Sequence, residues 1–102
     1  MTWVRAAKVT EISDGEAIVV EREPEPPVAL FNVAGDFYAI DDTCTHDKYS
    51  LADGYIEDEI VECALHTAKF NIRTGEVLSP PATKNLQTYR VKIELDVVYV
   101  DL

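Results

Sequence analysis

The chain has 102 residues, 47 % hydrophobic and 27 % charged, a composition that supports one modest core in a single domain and excludes wholesale disorder. Nineteen acidic against nine basic side chains give a formal net charge of -10, which disfavours nucleic acid and anionic membrane as partners and favours a protein with a basic face. No stretch approaches the roughly 20 apolar residues of a membrane-spanning helix, and Met1-Thr2-Trp3-Val4-Arg5 lacks the apolar core of a signal peptide, so the expectation is a cytoplasmic protein.

The predicted elements are strands. Residues 3 to 9 form a first candidate, and Asp14-Gly15 turns the chain into the β-branched run Ala17-Ile18-Val19-Val20. Three prolines within Glu21 to Pro27 remove amide donors, so that segment reads as a connector between strands. Val28 to Val33 and Phe37 to Ile40 then form a hairpin about Ala34-Gly35-Asp36. Turn signals crowd the middle of the chain. Ile56 to Val61 predicts a hairpin about Glu57-Asp58-Glu59, and Lys69 to Val77 a second about Thr74-Gly75. Near the end, Tyr89, Val91, Ile93 and Leu95 alternate with charged residues, which predicts one apolar strand face, and Val98, Val100 and Leu102 repeat the pattern. Short strands at close spacing describe an antiparallel sandwich or a small barrel.

Both cysteines and both histidines of the chain fall in two short clusters: Cys44-Thr45-His46 and Cys63-Ala64-Leu65-His66. A disulfide has no need of two accompanying histidines, whereas thiolate and imidazole together suit zinc, copper or an iron-sulfur centre. A small zinc-binding interaction module is one reading. It departs from the usual zinc-finger plan, in which one cluster supplies the cysteines and the other the histidines. Here each cluster supplies one of each, as a two-iron cluster with unlike irons requires, one iron taking both thiolates and the other both imidazoles.

These ligand clusters, together with Phe31-Asn32-Val33, Ser50-Leu51, Asp53-Gly54, Lys69-Phe70, Arg73-Thr74-Gly75 and Ser79-Pro80-Pro81, resemble the small Rieske-type ferredoxins of bacterial aromatic ring-hydroxylating dioxygenase systems, those serving biphenyl, cumene and carbazole dioxygenases above all. The resemblance implies an all-β Rieske fold: an antiparallel β-sandwich base (1–42 and 84–102) with an inserted cluster-binding subdomain (43–83). It implies one [2Fe-2S] cluster, with Cys44 and Cys63 on the inner iron and His46 and His66 on the outer. It further implies a monomeric carrier passing single electrons from a flavoprotein ferredoxin reductase to a terminal Rieske oxygenase, docking transiently at the His46/His66 tip. Lys48, Asp47, Tyr49, Thr67 and the Pro80-Pro81 loop would frame that contact. A Rieske-type subunit of another oxidoreductase, such as a nitrite reductase, is the alternative within the same resemblance.

The glycines that often follow each ligand histidine are here Asp47, with Lys48 after it, and Thr67. High-potential respiratory members carry a serine and a tyrosine that donate hydroxyl hydrogen bonds to cluster sulfurs. Ala68 and Phe70 stand at the matching positions, which implies a potential near the low end of the class, about -150 mV. Catalysis by the chain itself is not expected. An oxygen-activating iron needs two further histidines and a carboxylate, and no glycine-rich fingerprint offers a nucleotide site.

Overall fold

Short apolar runs closed by turn-forming pairs fold here as antiparallel strands. The computed structural model describes residues 2–44, 49–64, 68–80 and 82–102. Its strands are β1 (Trp3–Lys8), β2 (Glu16–Val20), β3 (Val28–Val33), β4 (Asp36–Asp41), β5 (Tyr55–Glu57), β6 (Ile60–Glu62), β7 (Lys69–Asn71), β8 (Val77–Ser79), β9 (Thr88–Tyr89), β10 (Val91–Glu94) and β11 (Val97–Asp101). They make three sheets, ordered β1-β11-β10, β2-β3-β4-β9 and β5-β6-β7-β8. Among the described residues the only helical pieces are single 3-10 turns at Val9–Glu11 and Leu51–Asp53. The fold is all-β and antiparallel, as the sequence predicts.

Strand β3 explains how the sheets are stacked. Its first four residues are all fully buried, so both faces of the strand are covered. Val28 and Leu30 pack with Ala7, Val98 and Val100 of the first sheet. Ala29 and Phe31 point the other way, into a second cluster that holds Cys44, Leu51, Val61, Cys63 and Phe70. The middle sheet is thus shared between two cores, and the first sheet and the cysteines lie on opposite sides of it. Burying a Leu- or Phe-sized side chain contributes about 1.5–3 kcal/mol, so these two clusters carry much of the stability.

The hairpin turns are tight. Val33 pairs with Asp36 across Ala34-Gly35, whose φ angles are both positive (52° and 90°), the backbone that matches the twist of the flanking strands. Glu94 pairs with Val97 across Leu95-Asp96, again with positive φ at both central residues (50° and 63°). This corrects one sequence expectation. Leu95 does not continue the apolar face of β10 but forms the turn and is 97 % exposed, while Ile93 is 49 % exposed. The period-two pattern runs across a sheet change at one end, with Tyr89 in β9 beside β4, and into a turn that carries no glycine at the other.

The proline-bearing segment after β2 is tied down by Arg22. Its Nε donates to the Pro26 carbonyl at 2.7 Å and its Nη2 to the Tyr89 hydroxyl at 2.8 Å. That hydroxyl donates in turn to Asp41 Oδ1 at 2.6 Å. Burial, and next the hydrogen bond to Asp41, push the Tyr89 hydroxyl above its ordinary pKa. Trp3 is a strand-face aromatic rather than a core residue: it is 38 % exposed, with Lys92 Nζ 4.6 Å from its ring centre.

Candidate metal centre

Cys44 follows β4 and Cys63 follows β6, each at the point where a strand gives way to a loop. Both are buried, at 3 % and 1 % exposure, and both belong to the same apolar cluster. The two loops are closed in the same way. The Cys44 amide donates to the Tyr49 carbonyl at 3.0 Å, and the Cys63 amide donates to the Ala68 carbonyl at 2.8 Å. Just outside, Thr43 bridges to Ser50 and Glu62 pairs with Lys69. Two loops of equal span therefore leave one shared core, each opened by a cysteine and each containing one histidine in its sequence.

His46 and His66, like Asp47, Lys48, Thr67 and Pro81, lie outside the described residues. Among the flanking residues that are described, Tyr49 is 39 % exposed and Pro80 is exposed. Ser79 Oγ accepts the Lys69 amide at 3.0 Å, tying the start of the proline loop to β7, and Ala82 at its far end is buried against the cysteine cluster. Among the described residues no group of three or more His, Cys, Asp or Glu side chains converges as a metal site. The described donors at this centre are therefore the two cysteines.

A mixed thiolate and imidazole set fits a two-iron cluster here on two counts. Both cysteines sit in an apolar core, where water has little access to the sulfurs, and each loop brings a histidine within three residues of its cysteine. Residues 2–90 match the family model of the Rieske [2Fe-2S] domain. The chain belongs to that family.

Relatives of this Rieske protein align along nearly its whole length. It is 45 % identical over 102 residues to the biphenyl dioxygenase ferredoxin subunit of Pseudomonas sp. (strain KKS102), covering 99 % of this chain and 93 % of the relative. The ferredoxin of Sphingomonas yanoikuyae B1 superposes with a TM-score of 0.92 at 36 % identity, covering 99 % of each chain. A structure of reduced oxygenase in complex with oxidised ferredoxin from carbazole 1,9a-dioxygenase contains a chain that matches with a TM-score of 0.93 at 34 % identity, covering 96 % of this chain and 91 % of that one.

The positions that imply low potential are set deep in the Rieske core. Ala68 and Phe70 are both fully buried beside Cys63. Ala68→Ser and Phe70→Tyr each add a single hydroxyl. A hydrogen bond to a charged group contributes about 1.5–3 kcal/mol, so each hydroxyl that reaches a cluster sulfur should raise the potential by at most roughly 65–130 mV. Protein-film voltammetry checks this, and an unmoved potential with an intact visible spectrum would refute the hydroxyl account.

One polar residue of the centre was not singled out from the sequence. Asp42, two residues before Cys44, is 4 % exposed. The available signal was register: Ile40 faces the cysteine core, and in an extended chain the second residue on faces the same way. An acid at an inward position was the clue.

Proposed function

We propose that the chain is a cytoplasmic one-electron carrier that takes electrons from a flavoprotein reductase and delivers them to the terminal oxygenase of an aromatic ring-hydroxylating dioxygenase. The observation that carries this reading is the pair of matched loops, each opened by a buried cysteine and containing one histidine, on a chain 45 % identical to a dioxygenase ferredoxin subunit over nearly its full length. In this reading Cys44 and Cys63 hold the inner iron, and His46 and His66 the outer one. Held there, the cluster would supply one-electron redox chemistry with no substrate bond made or broken. The protein buries the thiolates, keeps water from the sulfurs and presents the histidine loops to a partner.

The division into a base (1–42 and 84–102) and a cluster-binding subdomain (43–83) belongs to the same reading. The separate β5-β6-β7-β8 sheet, lying wholly between residues 55 and 79, supports it. A net charge of -10 favours encounter with basic partner surfaces, and electrostatic steering gives fast, short-lived docking by a monomer. The carrier does not oxygenate. Its two histidines are both assigned to the cluster, leaving none for a two-histidine, one-carboxylate iron. No helix among the described residues is long and apolar enough to cross a membrane.

Electron paramagnetic resonance of the dithionite-reduced protein tests the proposal. The expected result is the signal of a two-iron cluster with mixed histidine and cysteine ligation. A fully metallated sample that is colourless, or that lacks this signal, would exclude the carrier reading in favour of a zinc-binding module.

A further inference from the structure

The carboxylate of Asp42 is buried, and among the described residues no lysine or arginine forms an ion pair with it. Placing an unpaired carboxylate in a core is costly and calls for hydrogen bonds in compensation. Among the described residues two reach it, both at Oδ1: the Ser50 hydroxyl at 2.8 Å and the Ala52 amide at 3.0 Å. The backbone of Asp42 adds a third contact to the same segment, its carbonyl accepting the Leu51 amide at 2.7 Å. Its own amide donates to the Pro27 carbonyl at 3.1 Å, anchoring it to the base of β3. Asp42 thus joins the stem before Cys44 to residues 50, 51 and 52, where the chain returns from the loop that contains His46.

We propose that Asp42 is a positioning residue of the electron-transfer centre: its carboxylate clasps the return limb of the Cys44 to Tyr49 loop, and its negative charge holds the reduction potential down. The inference rests on the assignment of Cys44 and His46 as ligands. The clasp follows from geometry, because the Ser50 and Ala52 bonds lie immediately outside the Thr43 to Ser50 bridge and the Cys44 to Tyr49 hydrogen bond. The charge effect follows from Coulomb's law. Adding an electron near a fixed negative charge is opposed, the more strongly in a poorly polarisable interior than in water. The low potential implied by Ala68 and Phe70 then has a second, independent source.

Substitution separates the two roles. Asparagine retains an Oδ1 that can accept both hydrogen bonds but carries no charge, whereas alanine removes bonds and charge together. In the purified holoprotein, Asp42→Asn should shift the potential to more positive values while leaving the resonance spectrum and the exchange of the peptide spanning residues 49 to 53 unchanged. Asp42→Ala should speed amide exchange in that peptide by about tenfold or more relative to β11, the loss expected when a buried hydrogen bond to a charged acceptor is removed. Should Asp42→Ala fail to fold, Ser50→Ala removes one clasping donor and should give a smaller acceleration in the same peptide. An unmoved potential in Asp42→Asn overturns the charge role, and unchanged exchange in the alanine variants overturns the clasp. A normal mixed-ligand signal in the unsubstituted protein, measured alongside, shows that such a failure belongs to Asp42 alone; its absence would instead count against the ligand assignment.

Discussion

Cys63→Ser is expected to purify without visible colour and without the reduced-state resonance signal, its iron falling from about two per chain to near zero. A cysteine thiol has an ordinary pKa of about 8.5 and ionises readily at a metal, whereas a serine hydroxyl is a harder donor that holds its proton far more tightly. The position offers no substitute donor from solvent, because Cys63 is 1 % exposed and packed in an apolar cluster. Stability should fall as well. An unpartnered hydroxyl in such surroundings costs about 1–3 kcal/mol, and loss of the metal removes the folding free energy linked to its binding. Elemental analysis and spectroscopy of the same sample provide the check. Full iron content with an unaltered spectrum would remove Cys63 from the ligand set, and zinc in place of iron in the unsubstituted chain would favour the interaction module.

The strands and the two short Cys-His clusters were legible because their signals are local. Val28 to Val33 is a mostly apolar run ending at Ala34-Gly35, and it emerges as β3 with that pair as its turn. Cys44, His46, Cys63 and His66 stand out because the chain has no other cysteine or histidine. Tertiary choices were less visible. Nothing in the run of Val28, Ala29, Leu30 and Phe31 says which of two cores each residue enters; that depends on a second sheet closing over each face. Leu95 was misplaced because positive φ at a leucine is set by the two-residue connection of β10 to β11, not by the residue's own preference. Asp42 was passed over for a related reason. An aspartate before a loop ordinarily faces solvent, and its partners, Ser50 and Ala52, are eight and ten residues further along.

Gly75→Ala should destabilise the fold by about 2–5 kcal/mol, well beyond what Gly35→Ala does, although both glycines have positive φ (76° and 90°). The shared backbone term costs about 1–2 kcal/mol for any L residue with a Cβ. Around Gly35 there is open space, so that term acts alone. At Gly75 the new Cβ would collide with the Leu86 carbonyl oxygen and lie 3.1 Å from the Leu86 carbonyl carbon and 3.2 Å from Thr88 Cγ2. Backbone on both sides limits relief. The Gly75 amide donates to the Asn71 carbonyl at 2.8 Å and its carbonyl accepts the Leu86 amide at 2.8 Å, while Asn71 Oδ1 holds the Arg73 and Thr74 amides at 2.9 and 3.1 Å. Moving Leu86 aside is also costly, because that side chain is 4 % exposed and fills the same cluster as Cys44 and Cys63. Overpacking of this kind adds about 1–3 kcal/mol. At roughly 4–8 °C per kcal/mol for a domain of this size, the melting temperature of Gly75→Ala should fall by at least about 8 °C. Paired urea or thermal melts of the two variants decide the point: equal losses would mean that the segment bearing Leu86 yields without resistance and does not brace the core beneath the cysteines.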